Sequence, residues 1–448
     1  MSLPPDSLSA GSLSPDSPPS DSVPSDSLPT EDAGTGTASL AGGQLPRELR
    51  RLFLAAPWAS ALAPIAYGAS TFFFALQVQL MEGEEGKVAG LAVVSTLAAV
   101  AAMVAQPVIG VLSDRTRSRF GARRPWMLVG GLIGSVALLT TGLTSSLAAL
   151  TVCVMVIQFG LNAFQGPLAA VLPDRVPERF RGRYSTGAGL GTILGAAVGP
   201  LVGSLFAERI TLGYQVLGGV VFLGIVLFVV FVPDRDNRGE PREPFSLRAF
   251  VTAFWVNPVR HPDFFWGFLG RMLLFGGYYM LSTYNLYLAQ QYIRLSLKEA
   301  TDIVPLLGLV ALPGIILATA IAGPLSDRIG RRKPPALIAG LLIAGGATIP
   351  LAMPTVAGLV VSNAIVGAGF GAFVAVDQAL MSSVLPNAGD HGKDLGILNL
   401  AATLPGTIAP VAAGAVVTAF DSYAALYPVV GVVATLGALC ILPIRSVR

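Results

Sequence analysis

Two side chains in this sequence stand where a charge is expensive. Asp377 lies inside the apolar stretch 356–385 and Arg271 inside 263–291. All the others among the 26 acidic and 29 basic residues can be assigned to a loop, a tail or the end of an apolar stretch. A charge at the centre of a bilayer costs about 3 kcal/mol on insertion scales, so an ionisable residue there is a candidate for function. Asp377 can take up and release a proton, and Arg271 can pair with it or hold an anionic group directly. Each stands eight residues from one end of its stretch, about 12 Å of helix rise, so the depths match. The alternative is a permanent ion pair that only fixes helix packing.

Polar and aromatic residues at helical spacing extend the candidate set. Tyr67, Ser70, Phe74 and Gln77 share one face, as do Gln158, Asn162 and Gln165 on another stretch. Tyr278, Ser282 and Asn285 continue the face of Arg271, and Asn399 is a further candidate. Amides bond hydroxyl groups and rings pack on the apolar faces of sugar rings, so such faces suit a polyhydroxylated ligand. The alternative for each is a hydrogen bond between helices, worth on average about 0.6 kcal/mol.

The elements that position these residues follow from composition. The chain is 53% hydrophobic and 12% charged, with mean hydropathy +0.67. Soluble domains carry about 25% charged residues; half that level cannot cover a water-facing surface. Crossing the hydrocarbon core takes about 20 helical residues. Twelve spans are expected near 52–80, 88–112, 125–145, 147–172, 184–207, 211–233, 263–291, 303–325, 334–353, 356–385, 395–419 and 422–444. The organisation is a tail at 1–46, a six-helix half at 47–233, a linker at 234–262 and a second half at 263–448.

The tail is rich in Ser, Pro and Asp and lacks an apolar run, so it is expected to be disordered and is not a signal peptide. Apart from Lys87, Arg209, Arg294, Lys298 and Arg271, every basic residue falls on the side that holds both termini. Positive charge marks the cytoplasmic side, so both termini are expected there. Abundant Arg, Ala and Gly point to a bacterial source, and so to the plasma membrane.

Several classes are excluded. A net charge of +3 and no nucleic-acid motif argue against a nucleic-acid partner. His261 and His391 lie in separate polar loops, and Cys153 and Cys440 in apolar runs, so neither a metal, a cofactor nor an enzyme active site is expected. Gly191, Gly195 and Gly199 form a small-residue stripe, expected to pack against a helix of the other half.

The halves repeat one another. Gly110-Val-Leu-Ser-Asp-Arg115 recurs as Gly323-Pro-Leu-Ser-Asp-Arg328, and Val171-Leu-Pro173 recurs as Val384-Leu-Pro386 at the same offset. Each G-x-L-S-D-R string leads through a basic cluster, Arg123-Arg124 or Arg331-Arg332-Lys333, to a proline that opens the next span. Repeated halves are a common plan of transporters, with the solute site between them.

These strings resemble the loop signatures of the major facilitator superfamily. The fuller Ser113–Trp126 string "SDRTRSRFGARRPW" is similar to the sucrose-transporter-like and glycoside–pentoside–hexuronide:cation symporter branch, as are "VDQALMSSVLP" and "GKDLGILNLAATLP". The resemblance implies an all-α integral membrane protein, twelve transmembrane helices in two pseudo-symmetric six-helix bundles, acting as a monomer. It implies that spans one, four, seven and ten line a central cavity, with Arg271 and Asp377 facing each other across its C-terminal half.

It also implies a cytoplasmic gate built from Gly110, Asp114, Arg115, Arg123, Arg124, Asp174, Gly323, Asp327, Arg328 and Arg331. There the glycines would allow close helix approach. Asp114 would face the start of span eleven near Asp394–Gly396, and the arginines would pair with acids such as Asp174. The expected activity is secondary transport of a small polar solute, a sugar, by alternating access. Spans two and four carry Gln106, Gln158, Asn162 and Gln165 but no acid, which favours a proton through Asp377 over sodium. Efflux of an amphipathic compound and uncoupled facilitation are the alternatives.

Overall fold

The computed structural model describes residues 47–239, 260–384 and 391–445, with backbone only at 47, 48, 178, 179, 327, 378, 379, 382, 383 and 391–403. The tail at 1–46 and most of the linker lie outside the described residues.

The described chain is helical throughout: α1 (Arg47–Arg115), α2 (Arg124–Thr141), α3 (Leu147–Arg175), α4 (Glu178–Leu205), α5 (Ile210–Phe231), α6 (Pro262–Tyr287), α7 (Leu297–Ile329), α8 (Lys333–Ala352), α9 (Val356–Val384), α10 (His391–Phe420) and α11 (Leu426–Leu439). Helix α1 is 69 residues long and carries the first two spans. It folds at Gly83, whose φ of 65° and ψ of −164° only a residue without Cβ adopts readily. The polar break expected at 81–87 is thus a kink with helix on both sides, and α2 to α11 supply the other ten spans.

Local chemistry sets the ends. Pro125, Pro262 and Pro334 occupy first turns, where a missing N–H costs nothing. Ser146 caps α3 by accepting the Ala149 N–H at 3.3 Å. Ser296 and Glu299 form a capping box on α7: the Ser296 hydroxyl accepts the Glu299 N–H at 3.3 Å, and the Glu299 carboxylate accepts the Ser296 N–H at 2.9 Å.

Only 17% of the most apolar window of Leu297–Ser326 is buried. An apolar helix with so little protein cover must face lipid. Within the first half α1 packs on α3, α4 and α5, and α2 on α3 and α5; within the second, α9 packs on α7 and α8, and α11 on α6 and α8. The halves meet along α1–α10 and α4–α7.

The glycine stripe of α4 corrects one expectation. Cβ atoms added to Gly195 and Gly199 would lie 2.6 and 2.7 Å from the carbonyl oxygens of Ala61 and Ile65, and one on Gly191 would meet the carbonyl of Pro57. The stripe therefore packs on α1 of its own half. Its 191/195/199 spacing meets 57/61/65 turn for turn, a seam that only backbone-to-backbone approach allows.

We call the membrane face that carries the basic loops the basic end, and the opposite face the distal end.

Candidate functional site

Helix α6 carries Arg271 two turns in from Pro262, and α9 carries Asp377 two turns before Val384. The packing of α6 on α9 brings Arg271 Nη1 to 3.2 Å from Asp377 Oδ2, with the side chains 8% and 3% exposed. Arg271 Nε and Asp377 Oδ1 are buried without a hydrogen-bond partner. The surroundings are apolar: Leu274, Phe373, Val376, Leu380 and Ile343 belong to the core of this half. The pair is buried beside the apolar core of this half, and neither residue is among those that line the cavity between the halves.

The cavity is separate. It measures about 230 Å³ and lies between the halves, bounded by α1 and α4 on one side and by α6, α7 and α9 on the other. Tyr278, Ser282 and Asn285 of α6 line it, together with Thr71, Thr283, Ser362 and Asn363, among apolar residues such as Phe72, Leu281 and Ile315. No Asp, Glu, Lys, Arg or His is among the described residues that line it.

An aromatic relay links cavity and ion pair. Tyr278 stacks on Phe370 with ring centroids 4.0 Å apart and planes at 17°. Phe370 meets Phe275 edge-on at 5.4 Å, and the Arg271 guanidinium lies 5.4 Å from the Phe275 ring centroid.

The other sequence candidates lie elsewhere. On α1 the lining residues are Gly68, Thr71, Phe72 and Ala75, a face rotated by one residue from the expected Tyr67, Ser70, Phe74 and Gln77. Tyr67 keeps a buried hydroxyl with no partner, and Ser70 bonds back to the Tyr67 carbonyl at 3.2 Å. Gln77 turns to the end of α2, donating to the Thr144 hydroxyl at 3.1 Å and its carbonyl at 3.3 Å, so it fixes that helix end and not a solute. Asn162 accepts from Gln106 at 3.0 Å and donates to the Gln158 carbonyl at 2.8 Å. With Gln165 these amides of α3 lie outside the cavity. The Asn399 side chain falls outside the described residues.

At the basic end the first loop signature is tied within its own half. Arg123 bonds Asp174 at 2.9 Å, pairs with Asp114, and donates to the Ser113 hydroxyl at 2.8 Å. Burial would lower the Arg123 pKa, but Asp174 and Asp114 together raise it. The partner found for Asp114 is thus Arg123; the side chains near Asp394 lie outside the described residues. Arg124 donates to the Val229 carbonyl at 2.5 Å, and Arg115 lies half-buried.

Residues just after α5 hold the same loop. Asn237 accepts the Ser118 N–H at 2.9 Å and donates to the Thr116 carbonyl at 2.9 Å. In the second signature, Ser326 donates to the Arg331 carbonyl at 3.3 Å, while Arg328 and Arg331 are exposed; the Asp327 side chain lies outside the described residues. Among the described residues, no atom lies within 4 Å of a Cβ added to Gly110 or Gly323.

At the distal end the bonds cross between halves. Gln79 and Gln290 exchange amide hydrogen bonds at 2.8 and 3.1 Å. Gln291 donates to Glu84 at 2.8 Å, Tyr287 to the Ala75 carbonyl at 3.0 Å, and Tyr284 to the Val88 carbonyl at 3.4 Å. Helix α6 widens for its last turn, Leu288–Tyr292, where the Ile293 N–H reaches back to the Leu288 carbonyl at 3.2 Å. Such turns favour functional positions, and this one carries both glutamines. Two signals in the sequence pointed here or to the cavity unread: Lys87, a cation on the wrong side for the charge rule, and Asn363, an amide on the helix of Asp377.

A family model described as Major Facilitator Superfamily matches residues 58–321 and 306–448. The chain belongs to that superfamily: it is a multi-pass membrane transporter, not an enzyme. Solved structures agree in fold. A bacterial homologue of the human lysosomal transporter Spinster, inward-facing and occupied, superposes with TM-score 0.67 at 14% identity over 89% of this chain and 96% of that one. The nucleoside transporter NupG gives 0.67 at 14% over 88% and 100%. A D-xylose–proton symporter gives 0.64 at 15% over 88% and 97%. At these identities the likeness is one of fold alone.

Proposed function

We propose that this transporter moves a small, neutral, polyhydroxylated solute, a sugar in the first instance, by alternating access, with proton movement coupled through Asp377. The observation that carries the reading is the cavity between the halves. Its lining offers Tyr278, Ser282, Asn285 and Asn363 and no ionised side chain among the described residues, so an ionic solute would lose its hydration without a counter-charge. Aromatic faces beside amides suit the two sides of a sugar ring. Two of the fold neighbours carry a pentose with a proton and a nucleoside, which keeps both classes in the panel to be tried.

In this reading Arg271 neutralises Asp377 in one state and yields to a proton in the other. Solute against Tyr278 reaches the pair through Phe370 and Phe275. Asp114, Arg123, Arg124 and Asp174, with Gly110, Gly323 and the Arg328–Arg331 loop, form the gate at the basic end, taken as cytoplasmic in a bacterial plasma membrane. The burial of the pair in apolar core favours a second reading, an uncoupled facilitator whose ion pair is structural.

Proteoliposome uptake under an imposed inward proton gradient, over labelled sugars and nucleosides, separates these readings. Coupled transport gives uphill uptake of a neutral solute that Asp377→Asn abolishes. Downhill uptake that Asp377→Asn leaves unchanged selects the facilitator. Uptake of anions or cations alone would overturn the neutral-solute assignment.

A further inference from the structure

Lys87 is the buried charge that the coupling scheme does not use. Its side chain is 1% exposed, although it lies in the distal half of the chain's first turn-back, where a lysine would ordinarily reach water. The ammonium bonds Glu84 at 2.5 Å, which belongs to the same half. Across the interface it lies 5.1 Å from the ring centroid of Tyr287 and 6.0 Å from that of Tyr423. Glu84 in turn accepts from Gln291 of the other half at 2.8 Å. A cation desolvated between ring faces is held by the negative face of each ring, and here both rings belong to the half opposite the lysine.

We propose that Lys87 is the latch of the distal gate. Its ammonium, closed in by Glu84 from its own half and by Tyr287 and Tyr423 from the other, makes closure of that end depend on those partners, and its burial keeps the closed state reversible. The second clause follows from opposing terms. Closure removes the ammonium from water, which favours reopening; the carboxylate and the two rings offset that cost. A hydrophobic side chain of similar length would seal the same interface without the opposing term, as replacement of buried ion pairs by apolar groups often stabilises. Lys87 acts on transport through the gate and touches no solute, so it is a positioning residue.

The latch is independent of the identity of the solute and of Asp377. It is tested by pulsed-dipolar distances between spin labels at Leu143 and Met353, exposed on distal loops of opposite halves, in full-length chain carrying Cys153→Ser and Cys440→Ser. Tyr287→Phe keeps the ring and loses only the Ala75 hydrogen bond; Tyr287→Leu loses the ring as well. With Lys87 present, Tyr287→Leu is expected to raise the open-to-closed ratio about fivefold or more above Tyr287→Phe, the scale of a modest coupling energy. In the Lys87→Met background that difference vanishes, and Lys87→Met alone shifts the ratio toward closed. Tyr423→Leu gives the same Lys87-dependent opening and stands in should Tyr287→Leu fail to fold. Equal effects of the ring substitutions with and without Lys87 would reduce the rings to packing residues and overturn the proposal. So would opening of the gate by Lys87→Met.

Discussion

The two ends of the molecule are built from opposite kinds of tie. At the distal end, hydrogen bonds between described residues run from one half to the other: Gln79 with Gln290, Glu84 with Gln291, Ala75 with Tyr287. At the basic end the strongest ties stay inside the first half, where Arg123 gathers Ser113, Asp114 and Asp174. Bonds within a half cost nothing to keep while the halves rock; bonds between halves must break. Among the described residues the distal end thus carries the ties between halves, and the first G-x-L-S-D-R loop braces its own bundle.

Perturbations of the two ends and of the core between them should differ in size. The largest effect is expected at the ion pair. Arg271→Leu leaves Asp377 buried without a cation and should cost about 3–5 kcal/mol, whereas Arg271→Met with Asp377→Leu should recover most of it. Thermal unfolding in detergent measures both; a double variant no better than the single would mean that the pair is not one unit.

Next comes the seam that makes the first half rigid. Gly195→Val places a Cβ 2.6 Å from the Ala61 carbonyl, and overpacking of that kind costs about 1–3 kcal/mol. The same unfolding assay should register it, with distal and basic ends destabilised alike. At the distal end, Gln290→Ala removes a reciprocal amide pair worth about 1 kcal/mol, so the distal label distance should gain an open population about fivefold larger.

Arg123→Gln at the basic end should be the smallest of the substitutions, about 1 kcal/mol or less, because Asp114 and Asp174 are 62% and 42% exposed. Faster amide exchange over 116–123 without any change in the distal distance would locate the effect inside the half.

Acid is the mildest probe. Hydrogen bonding from Lys87, against the cost of burial, lowers the Glu84 pKa. A lowered folded pKa means that the distal tie is complete above the unfolded value, about 4.3, and is lost as pH falls through the folded one. The closed distal population should hold from neutral pH down to that window and decline only below it.

Much of the architecture was legible because membranes impose simple rules. Length and apolarity gave twelve spans, and even the three-residue turn between α8 and α9 could be placed. The loop at 81–87 read as a break because Glu82, Glu84, Glu85 and Lys87 are charged; the chain remains helical there, and the turn falls on Gly83 alone. Matching depth in their spans points to a pairing of Arg271 with Asp377, which lie 3.2 Å apart.

What the sequence did not reveal depends on rotation about a helix axis. The face of α1 that lines the cavity is one residue from the expected one, since Gln77 has a better use at the end of α2. The α4 glycines looked like an interface between halves because a small-residue stripe does not name its partner. Lys87 reads as one more loop charge in sequence; only the fold shows that two tyrosines from the far half flank it.

If the two ends close in alternation, forcing the distal end apart must draw the basic end together. Gln79→Lys with Gln290→Lys replaces a bonded pair by two like charges and should force the distal end apart. Spin-label distances are then read at Leu143–Met353 on the distal face and at Phe120–Ile329 on the basic face, all four exposed sites. The account predicts a longer distal distance and, in the same molecules, a shorter basic one. A distal end that opens while the basic distance stays unchanged would contradict it.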